Sequence, residues 1–322
     1  MFSKRREAKN DSSYILQVID SGHKDWVLGG IFSDLRLSSH IFSRFVLQMP
    51  NWRQLANPLK VSKALLLLNK YDYLLFSSIT PLTNYLRITP KNRRKDMFLW
   101  FTHSPSRFSE FEIYALNQPR VIYVHSKKAK SELSKLTKSR IEIMIGAIGS
   151  ERFAKPAEHG ERIAWVGTTA SRKCPELFLS IAEENPDINF RLLGKNWALS
   201  KFWSQVESLQ NIQYVEIEGP LVSESFAGCD IFLSTSKLEG GPMPLMESLA
   251  AGLTPLVTNT GFVDDLFEIC DLPRELILPS ADGFRSRVIS IRTNNKIDIN
   301  RKAVMNYDFK RLARLIEGTL IP

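Results

Sequence analysis

Two glutamates with a glycine pair between them are the residues in this 322-residue chain that are best suited to chemistry. Glu239 and Glu247 lie in the stretch KLEGGPMPLMESLAAG, which follows a short apolar run at 231–233. Gly240 and Gly241 allow the backbone to approach a ligand closely, and they leave amide N–H groups free at a helix start, where phosphate binds well. Carboxylates accept hydrogen bonds from hydroxyl groups. The pattern therefore predicts a ligand that combines phosphates with several hydroxyls, as a nucleotide sugar does.

Short apolar runs that alternate with amphipathic segments must position these residues. In the second half of the chain we predict helices at 175–184, 202–209 and 223–228, a further helix after Pro242, and strands at 162–166, 189–193, 212–216, 231–234 and 254–257. This alternation is typical of parallel sheets with helices on both faces.

The first half repeats the pattern. We predict strands at 14–19, 73–76, 97–101, 121–124 and 141–145, and helices at 61–69 and 127–136. A further amphipathic helix is expected after a loop at 20–30, and it carries Leu35, Ile41, Phe42 and Phe45. The predicted fold class is α/β, with two tandem Rossmann-like doubly wound domains that face a cleft. A linker at 156–160 places the boundary between 1–156 and 157–322, and the last helix is a candidate to pack back on the N-terminal domain.

Ligands of open α/β sheets bind beyond the carboxyl ends of the strands. In the second half the residues at these positions are glycines, hydroxyl groups, amides and a few charges. They lie at 167–169, 194–196, 218–219, 236–242 and 259–261. This composition is typical of a polar ligand site and differs from that of a packed core.

The positive charge of the chain is concentrated in its first half. Residues 1–158 contain 26 Lys and Arg against 13 Asp and Glu, whereas residues 159–322 contain 17 against 21. A basic half indicates a polyanionic partner, either nucleic acid or the anionic inner leaflet of a membrane. No nucleic-acid-binding signature is found, so we expect no nucleic acid and favour peripheral contact with an anionic membrane. The basic clusters at 91–95 and 127–138 are either solvated faces or this contact.

Localisation follows from what the sequence lacks. No apolar run approaches the roughly 20 residues of a membrane-spanning helix, and no secretory signal is recognised at the N-terminus. The three cysteines form no C-x-x-C pair, which favours a reducing cytoplasm and argues against structural zinc. We expect a cytoplasmic protein, with the inner face of the cell membrane as the alternative, and we expect no cofactor and no metal.

The stretch SKLEGGPMPLMESLAAGLTPLVTNTGFVDDL resembles the donor-binding signature of group 1 (family 4) glycosyltransferases, which have the GT-B fold. That signature has two glutamates in an E-x7-E spacing, then an alanine and glycine stretch, and a G-x-x-[DE] loop, whose place is held by 261–265. AWVGTTASRK is similar to the family's phosphate-binding strand and loop, with Lys173 six residues after Gly167. YVHSKKAKSEL and IGAIGSERF resemble the segments that close the first domain. The resemblance is specific from about residue 121 to residue 270.

The resemblance implies roles for individual residues. Lys173 would neutralise the donor diphosphate, Glu239 would bind hexose hydroxyls, and Glu247 would bind ribose hydroxyls. The implied catalytic residues are His103, Lys173 and Glu239. The implied donor-binding residues are Gly29, Gly30, Gly167, Thr168, Arg172, Lys173, Gly194, Lys195, Glu239, Gly240, Gly241, Pro242 and Glu247. Gly29 and Gly30 would form a glycine loop that faces the donor phosphates.

One departure from the family pattern concerns the residue after Gly167. The family places an arginine there, and this chain has Thr168. Arg172 is the candidate to supply the missing charge from the far side of the loop. Lysine, glycine amides and a helix dipole stabilise the negative charge of a leaving diphosphate, so the implied reaction needs no metal. The family is typically retaining, which implies no dedicated general base.

These observations predict a hexosyltransferase. It would move a hexose from a nucleotide-diphosphate sugar to a saccharide or lipid-linked acceptor at the membrane surface, in surface polysaccharide or lipopolysaccharide synthesis. The first domain would be the acceptor side, and the second would bind the donor. The alternative is a catalytically weak nucleotide-sugar-binding or scaffolding protein of the same fold, which the substitution at Thr168 motivates.

Overall fold

The computed structural model describes residues 15–20, 27–51, 53–101, 108–278, 283–293 and 301–320. The chain divides into two compact units, the first formed by 1–144 with 309–322 and the second by 145–308. The first division therefore lies upstream of the predicted boundary at 156/157, and the chain returns to the first unit at its C-terminal end.

Unit 1 contains a parallel sheet in the order β2-β1-β3-β4-β5-β6. Its strands are β1 (Ile15–Asp20), β2 (Phe42–Met49), β3 (Tyr73–Phe76), β4 (Asp96–Phe101), β5 (Val121–Val124) and β6 (Arg140–Ile143). Its helices up to the division are α1 (Val27–Ser38), α2 (Pro58–Leu68), α3 (Ile79–Ile88), α4 (Glu110–Leu116) and α5 (Lys127–Leu133). From β1 the chain continues to β2 on one side and then to β3 on the other side. This reversal creates a topological switch point between the carboxyl ends of β1 and β3.

Unit 2 contains a second parallel sheet, in the order β11-β10-β7-β8-β9. Its strands are β7 (Arg162–Val166), β8 (Phe190–Gly194), β9 (Ile212–Glu216), β10 (Cys229–Ser234) and β11 (Thr254–Val257). Its helices are α6 (Pro175–Glu184), α7 (Trp203–Ser208), α8 (Met243–Ala250), α9 (Val263–Cys270), α10 (Phe284–Thr293) and α11 (Arg301–Met305). The chain leaves β9 at one edge and returns beside β7 as β10, so the loops after β7 and β10 meet at the switch point.

Helices α2 to α5 pack on one face of the first sheet. Their buried side chains, such as Leu68, Tyr85 and Leu116, share one core cluster with strand residues such as Leu74 and Leu99. Successive right-handed crossovers that step in one direction along the sheet place their helices on one face in this way. The outer side of this helix layer is therefore a single surface of unit 1.

The C-terminal helix, α12 (Phe309–Leu320), packs against α1 of unit 1. The Thr319 hydroxyl lies 2.5 Å from the hydroxyl of Tyr123, and both side chains are buried. The Arg120 guanidinium donates to the Leu320 carbonyl at 3.3 Å. The last helix of the chain thus stabilises the first compact unit.

The predicted α/β class with two doubly wound parallel sheets is confirmed. The helix predicted to carry Leu35, Ile41, Phe42 and Phe45 is wrong in its second part. Helix α1 ends at Ser38, and 42–49 is strand β2, which pairs in parallel with β1. The spacing of apolar residues at 42–49 fits an edge strand as well as a helix. The pairing with β1 decides for the strand. Helices α3 and α4 were not predicted, and no helix of the described residues is long and apolar enough to cross a bilayer.

Candidate functional site

The loops that follow β7 and β10 are joined by a short chain of hydrogen bonds. The Thr235 hydroxyl donates to the Lys173 carbonyl at 2.9 Å, and the Trp165 indole donates to the same hydroxyl at 3.0 Å. The Lys237 amide donates to the Arg172 carbonyl at 2.9 Å. These bonds attach the single helical turn at Ser171–Lys173 to the loop that leads into α8. These bonds therefore hold the loops after β7 and β10 together on one side of the switch point.

Glu239 lies between two cationic side chains, Arg172 and Lys173, of the loop after β7. Arg172 Nη1 donates to Glu239 Oε2 at 2.6 Å, and Lys173 Nζ lies 2.6 Å from Glu239 Oε1. The side chains are 6% exposed for Glu239, 12% for Lys173 and 34% for Arg172. We refer to these three residues as the cation–carboxylate cluster. The cluster has a net positive charge, so it attracts a further anion.

Burial lowers the pKa of Lys173 below its ordinary value of 10.5. Loss of solvation is the largest cause, because it penalises the charged ammonium group. The Glu239 carboxylate opposes this shift, and the Arg172 guanidinium adds to it. The ammonium charge therefore depends on Glu239, and a bound phosphate would stabilise that charge further.

Gly194 and Gly167 are required by packing at the ends of β8 and β7. The Trp197 indole donates to the Gly167 carbonyl at 2.9 Å. A Cβ on Gly194 would lie 2.3 Å from that carbonyl oxygen and 2.4 Å from Trp197 Nε1. Trp197 is fully buried, so neither neighbour can move without disturbing the core. The sequence analysis assigned both glycines to ligand approach and missed this bond to Trp197.

We predict that Gly194→Ala destabilises the protein. The added methyl group must displace the Trp197 indole or the loop after β7, and such overpacking costs about 1–3 kcal/mol. Urea denaturation measures the change, and Gly219→Ala is the matched control because no atom lies within 4 Å of its added Cβ. Equal midpoints for Gly194→Ala and the wild type would contradict this packing account.

Gly240, Gly241 and Pro242 lead into α8, which begins at Met243. In the described residues no side chain caps the N-terminus of α8. Its first amides are bonded within the turn, since the Met243 amide donates to the Gly241 carbonyl at 2.8 Å and the Leu245 amide donates to the Pro242 carbonyl at 2.9 Å. Pro244 has no N–H, so a backbone donor for a ligand would have to come from the glycine pair before the helix. Glu247 lies further along the same helix and is half-buried. Recognition of phosphates by the glycine pair and of hydroxyls by the two glutamates stays a prediction.

Gly261 holds the neighbouring loop against this turn. Its φ is +60°, and a Cβ there would lie 2.7 Å from the Gly240 carbonyl oxygen. The loop is shorter than predicted, because α9 begins at Val263. Asp264 and Asp265 therefore lie in the first turn of α9, and their placement in a loop was wrong.

The remaining predicted residues lie elsewhere. Thr168 and Lys195 are exposed at the ends of β7 and β8. Gly29 and Gly30 lie in the first turn of α1, so their assignment to a loop was wrong. His103 lies outside the described residues. In the described residues no three His, Cys, Asp or Glu side chains are grouped to hold a metal ion, and metal independence stays a prediction.

A family comparison covers the segment that carries this geometry. Residues 149–278 match the model described as "Glycosyl transferases group 1". The match contains β7 to β11, the cation–carboxylate cluster and all of α8. This region is similar to the group 1 glycosyl transferases. The resemblance inferred from the motifs is therefore confirmed.

Solved glycosyl transferase structures match almost the whole chain. HepE from Anabaena in complex with UDP-glucose has 13% identity and a TM-score of 0.72, with 95% of this chain and 99% of that chain covered. Sucrose-phosphate synthase from Thermosynechococcus elongatus has 13% identity and a TM-score of 0.70, covering 95% and 98%. The lipopolysaccharide outer core galactosyltransferase WaaB, in its apo form, has 13% identity and a TM-score of 0.62, covering 95% and 99%. No curated protein sequence gives a significant match. The structural matches confirm the predicted GT-B fold.

A nearby arginine accompanies the departure from the group 1 glycosyl transferase pattern at Thr168. Thr168 is exposed, whereas Arg172 lies beside Lys173 and contacts the same carboxylate. A second cation is therefore present at the switch point, at the position that the sequence analysis named as its candidate source.

The carboxyl edge of the unit 1 sheet forms a polar pocket of about 460 Å³. It lies at the switch point between β1 and β3, and it is lined by the last residue of β1 and by residues that follow β2, β3 and β4. These are Asp20, Asn51, Thr80, Thr83, Asn84, Arg87, Ser109, Phe111 and Glu112. The Arg87 guanidinium stacks 5.0 Å from the centre of the Phe111 ring. The sequence analysis missed this pocket, because its lining comes from four separate segments and contains no local motif.

Proposed function

We propose that the protein transfers a hexose from a nucleotide-diphosphate sugar to a saccharide or lipid-linked acceptor at a membrane surface, in surface polysaccharide or lipopolysaccharide synthesis. The reaction would need no metal and would retain the anomeric configuration. The observation that carries the proposal is the cation–carboxylate cluster beside the glycine pair that leads into α8, in a segment that matches the group 1 glycosyl transferase model.

The donor fits this edge of unit 2 by charge and by hydrogen bonding. The diphosphate would bind Lys173, Arg172 and the backbone amides before α8. Glu239 is held by one cation on each oxygen, and a carboxylate oxygen has a second lone-pair direction for a sugar hydroxyl. The HepE structure contains UDP-glucose, which supports a UDP-sugar as the first donor to test.

Cleavage of the glycosyl–phosphate bond adds one negative charge to the diphosphate, which is already anionic before the bond breaks. Two cations fixed before the donor arrives stabilise developing charge without reorganisation. Lys173 and Arg172 would do this from the loop after β7, while the dipole of α8 acts from the N-terminus of that helix. These residues can therefore promote departure of the nucleotide.

The acceptor would bind unit 1 in the pocket at 20, 51, 80–87 and 109–112. Hydroxyl, amide and carboxylate groups line it, and the Phe111 ring offers a face for stacking. Such a mixture suits the hydroxyls and apolar faces of a terminal sugar. WaaB is a lipopolysaccharide outer core galactosyltransferase, which supports a glycolipid saccharide as acceptor.

We predict that kcat/KM for the donor falls as pH rises through the folded-state pKa of Lys173, and that this alkaline loss occurs below pH 10.5. Only the protonated ammonium group stabilises the leaving diphosphate, and burial favours its neutral form. A pH profile of kcat/KM measures the effect, because this ratio reports the pKa of the free enzyme. Lys173→Arg keeps its charge, so its alkaline loss should move upward or vanish. An unchanged profile in Lys173→Arg would contradict the assignment.

A thermal-shift screen with UDP-, GDP- and ADP-hexoses tests donor binding, since a ligand of the folded state raises the melting temperature by an amount that grows with its concentration relative to its Kd. Transfer of radiolabelled hexose to a lipid extract then tests turnover. We expect a shift with one nucleotide class and labelled product with the same donor. A shift without product on any lipid acceptor favours the alternative, a donor-binding protein, for which the exposed Thr168 in place of arginine is the supporting observation. No shift with any donor overturns the proposal.

A further inference from the structure

Helix α2 presents two leucines to solvent. Leu59 is 72% exposed and Leu66 is 66% exposed. Ala64 and Leu68 of the same helix are buried against the core of unit 1, so α2 is anchored by its opposite side. Burial in this unit therefore does not explain the two exposed leucines.

Lysines surround these leucines on the same side of the helix. Residues 59, 63 and 66 recur at helical spacing, so Leu59, Lys63 and Leu66 form one stripe of α2, with Lys60 beside it and Lys70 in the turn directly after the helix. All three lysines are exposed. We define the α2 face as Leu59, Lys60, Lys63, Leu66 and Lys70.

Acidic residues are absent from a long segment around this face. The sequence contains no Asp or Glu from residue 35 to residue 71, and Asn57, a neutral residue, caps α2. The α2 face therefore combines exposed apolar area with three lysines, in a segment of the sequence that contains no acidic residue. This combination is typical of helices that lie in the interface of an anionic bilayer.

The α2 face differs from both basic clusters that the sequence suggested for membrane contact. In the first cluster, Arg94 is held inside unit 1, since it donates to the Tyr114 hydroxyl at 2.7 Å and to the Leu86 carbonyl at 3.2 Å. In the second, the exposed lysines of α5 are accompanied by a buried leucine, Leu133. Clusters of positive charge in the sequence therefore did not indicate the α2 face, which carries exposed leucines as well as lysines.

We propose that the α2 face docks the protein on an anionic lipid bilayer. Leu59 and Leu66 would enter the boundary between headgroups and acyl chains, while the lysines contact lipid phosphates. The inference deepens the proposed function and rests on it, because a lipid-linked acceptor lies on such a surface. A two-fold contact between copies would instead place the lysines of one α2 against those of the other, which like-charge repulsion disfavours.

Co-sedimentation of the full chain with vesicles tests the proposal. The vesicles are phosphatidylcholine alone, or phosphatidylcholine with about a quarter phosphatidylglycerol. We expect binding to the anionic vesicles that weakens with salt. The double variant Leu59→Gln with Leu66→Gln should weaken it at least about tenfold, and Lys60→Gln or Lys63→Gln about fivefold each. Leu199→Gln, at an 86% exposed leucine of unit 2, is the matched control and should bind as the wild type does.

Three outcomes overturn the docking proposal. They are wild-type binding in the double leucine variant, release by Lys127→Gln with Lys128→Gln but not by the lysine changes in α2, and a dimer that depends on Leu59 and Leu66 while vesicles do not bind. Melting temperatures with UDP-hexoses are measured on the same samples. Vesicle binding without a donor shift would count against the proposed function and leave docking supported, whereas a donor shift without vesicle binding would do the reverse.

Discussion

Replacement of Glu239 by glutamine is expected to reduce turnover by about 100-fold or more and to weaken donor binding. The carboxylate holds Arg172 and Lys173 at 2.6 Å each. Without its charge, the buried ammonium group of Lys173 loses the main interaction that opposes its desolvation, and its pKa falls further. Loss of about 2.7 kcal/mol of transition-state stabilisation corresponds to a 100-fold lower rate.

The same change should lower stability. Removal of one partner from a buried ion pair costs about 3–5 kcal/mol, and the partial exposure of Arg172 places this case at the lower end. Steady-state kinetics and urea denaturation measure the two effects separately. Asp187→Asn is the control, because Asp187 forms an exposed ion pair with Arg285 in the same unit. We expect wild-type turnover from Asp187→Asn. Near-wild-type turnover from Glu239→Gln would remove Glu239 from the site.

Local pattern sufficed to predict the strands of unit 2. Residues 162–166, 212–216 and 254–257 form strands with the predicted bounds, because each is a short run with β-branched residues, although β9 and β11 lie at the two edges of the sheet. Strand β2 was missed for a different reason. It begins four residues after the end of α1 at Ser38, so its apolar residues could be assigned to a continuation of that helix.

The features of the candidate site also fall into two groups, those that local motifs predict and those that only the structure shows. The spacing of Gly167 and Lys173 indicated phosphate binding, and Glu239 indicated hydroxyl binding, since each motif lies within one loop. The pairing of Arg172 with Glu239 joins residues 67 positions apart, and it exists because the strand order returns β10 beside β7. The bond from Trp197 to Gly167 likewise joins two strand ends. Contacts set by strand order are not encoded in local spacing, so the structure was needed to find them.

Lys173→Met is expected to reduce turnover by about 1,000-fold. Methionine fills a similar volume but removes the positive charge that would neutralise the leaving diphosphate. Fixed cations at such positions contribute several kcal/mol to the transition state, and Lys173 is the more buried of the two here. Steady-state kinetics with the donor found in the thermal-shift screen measure the loss. Lys201→Met, at an exposed lysine of the same unit, should retain wild-type turnover, and similar rates for the two variants would contradict the role of Lys173.

The double variant Lys173→Met with Glu239→Gln separates a catalytic role from a structural one. Each single change leaves a buried charge without one partner, so each should destabilise the fold. The double change removes both charges, and we expect it to be more stable than the sum of the two single effects implies, by about 1–3 kcal/mol of coupling. Turnover should stay as low as in Lys173→Met, because the cation and the carboxylate act on the donor and are both missing. If turnover recovered together with stability, the cluster would be a structural ion pair, and the donor phosphates would have to bind elsewhere.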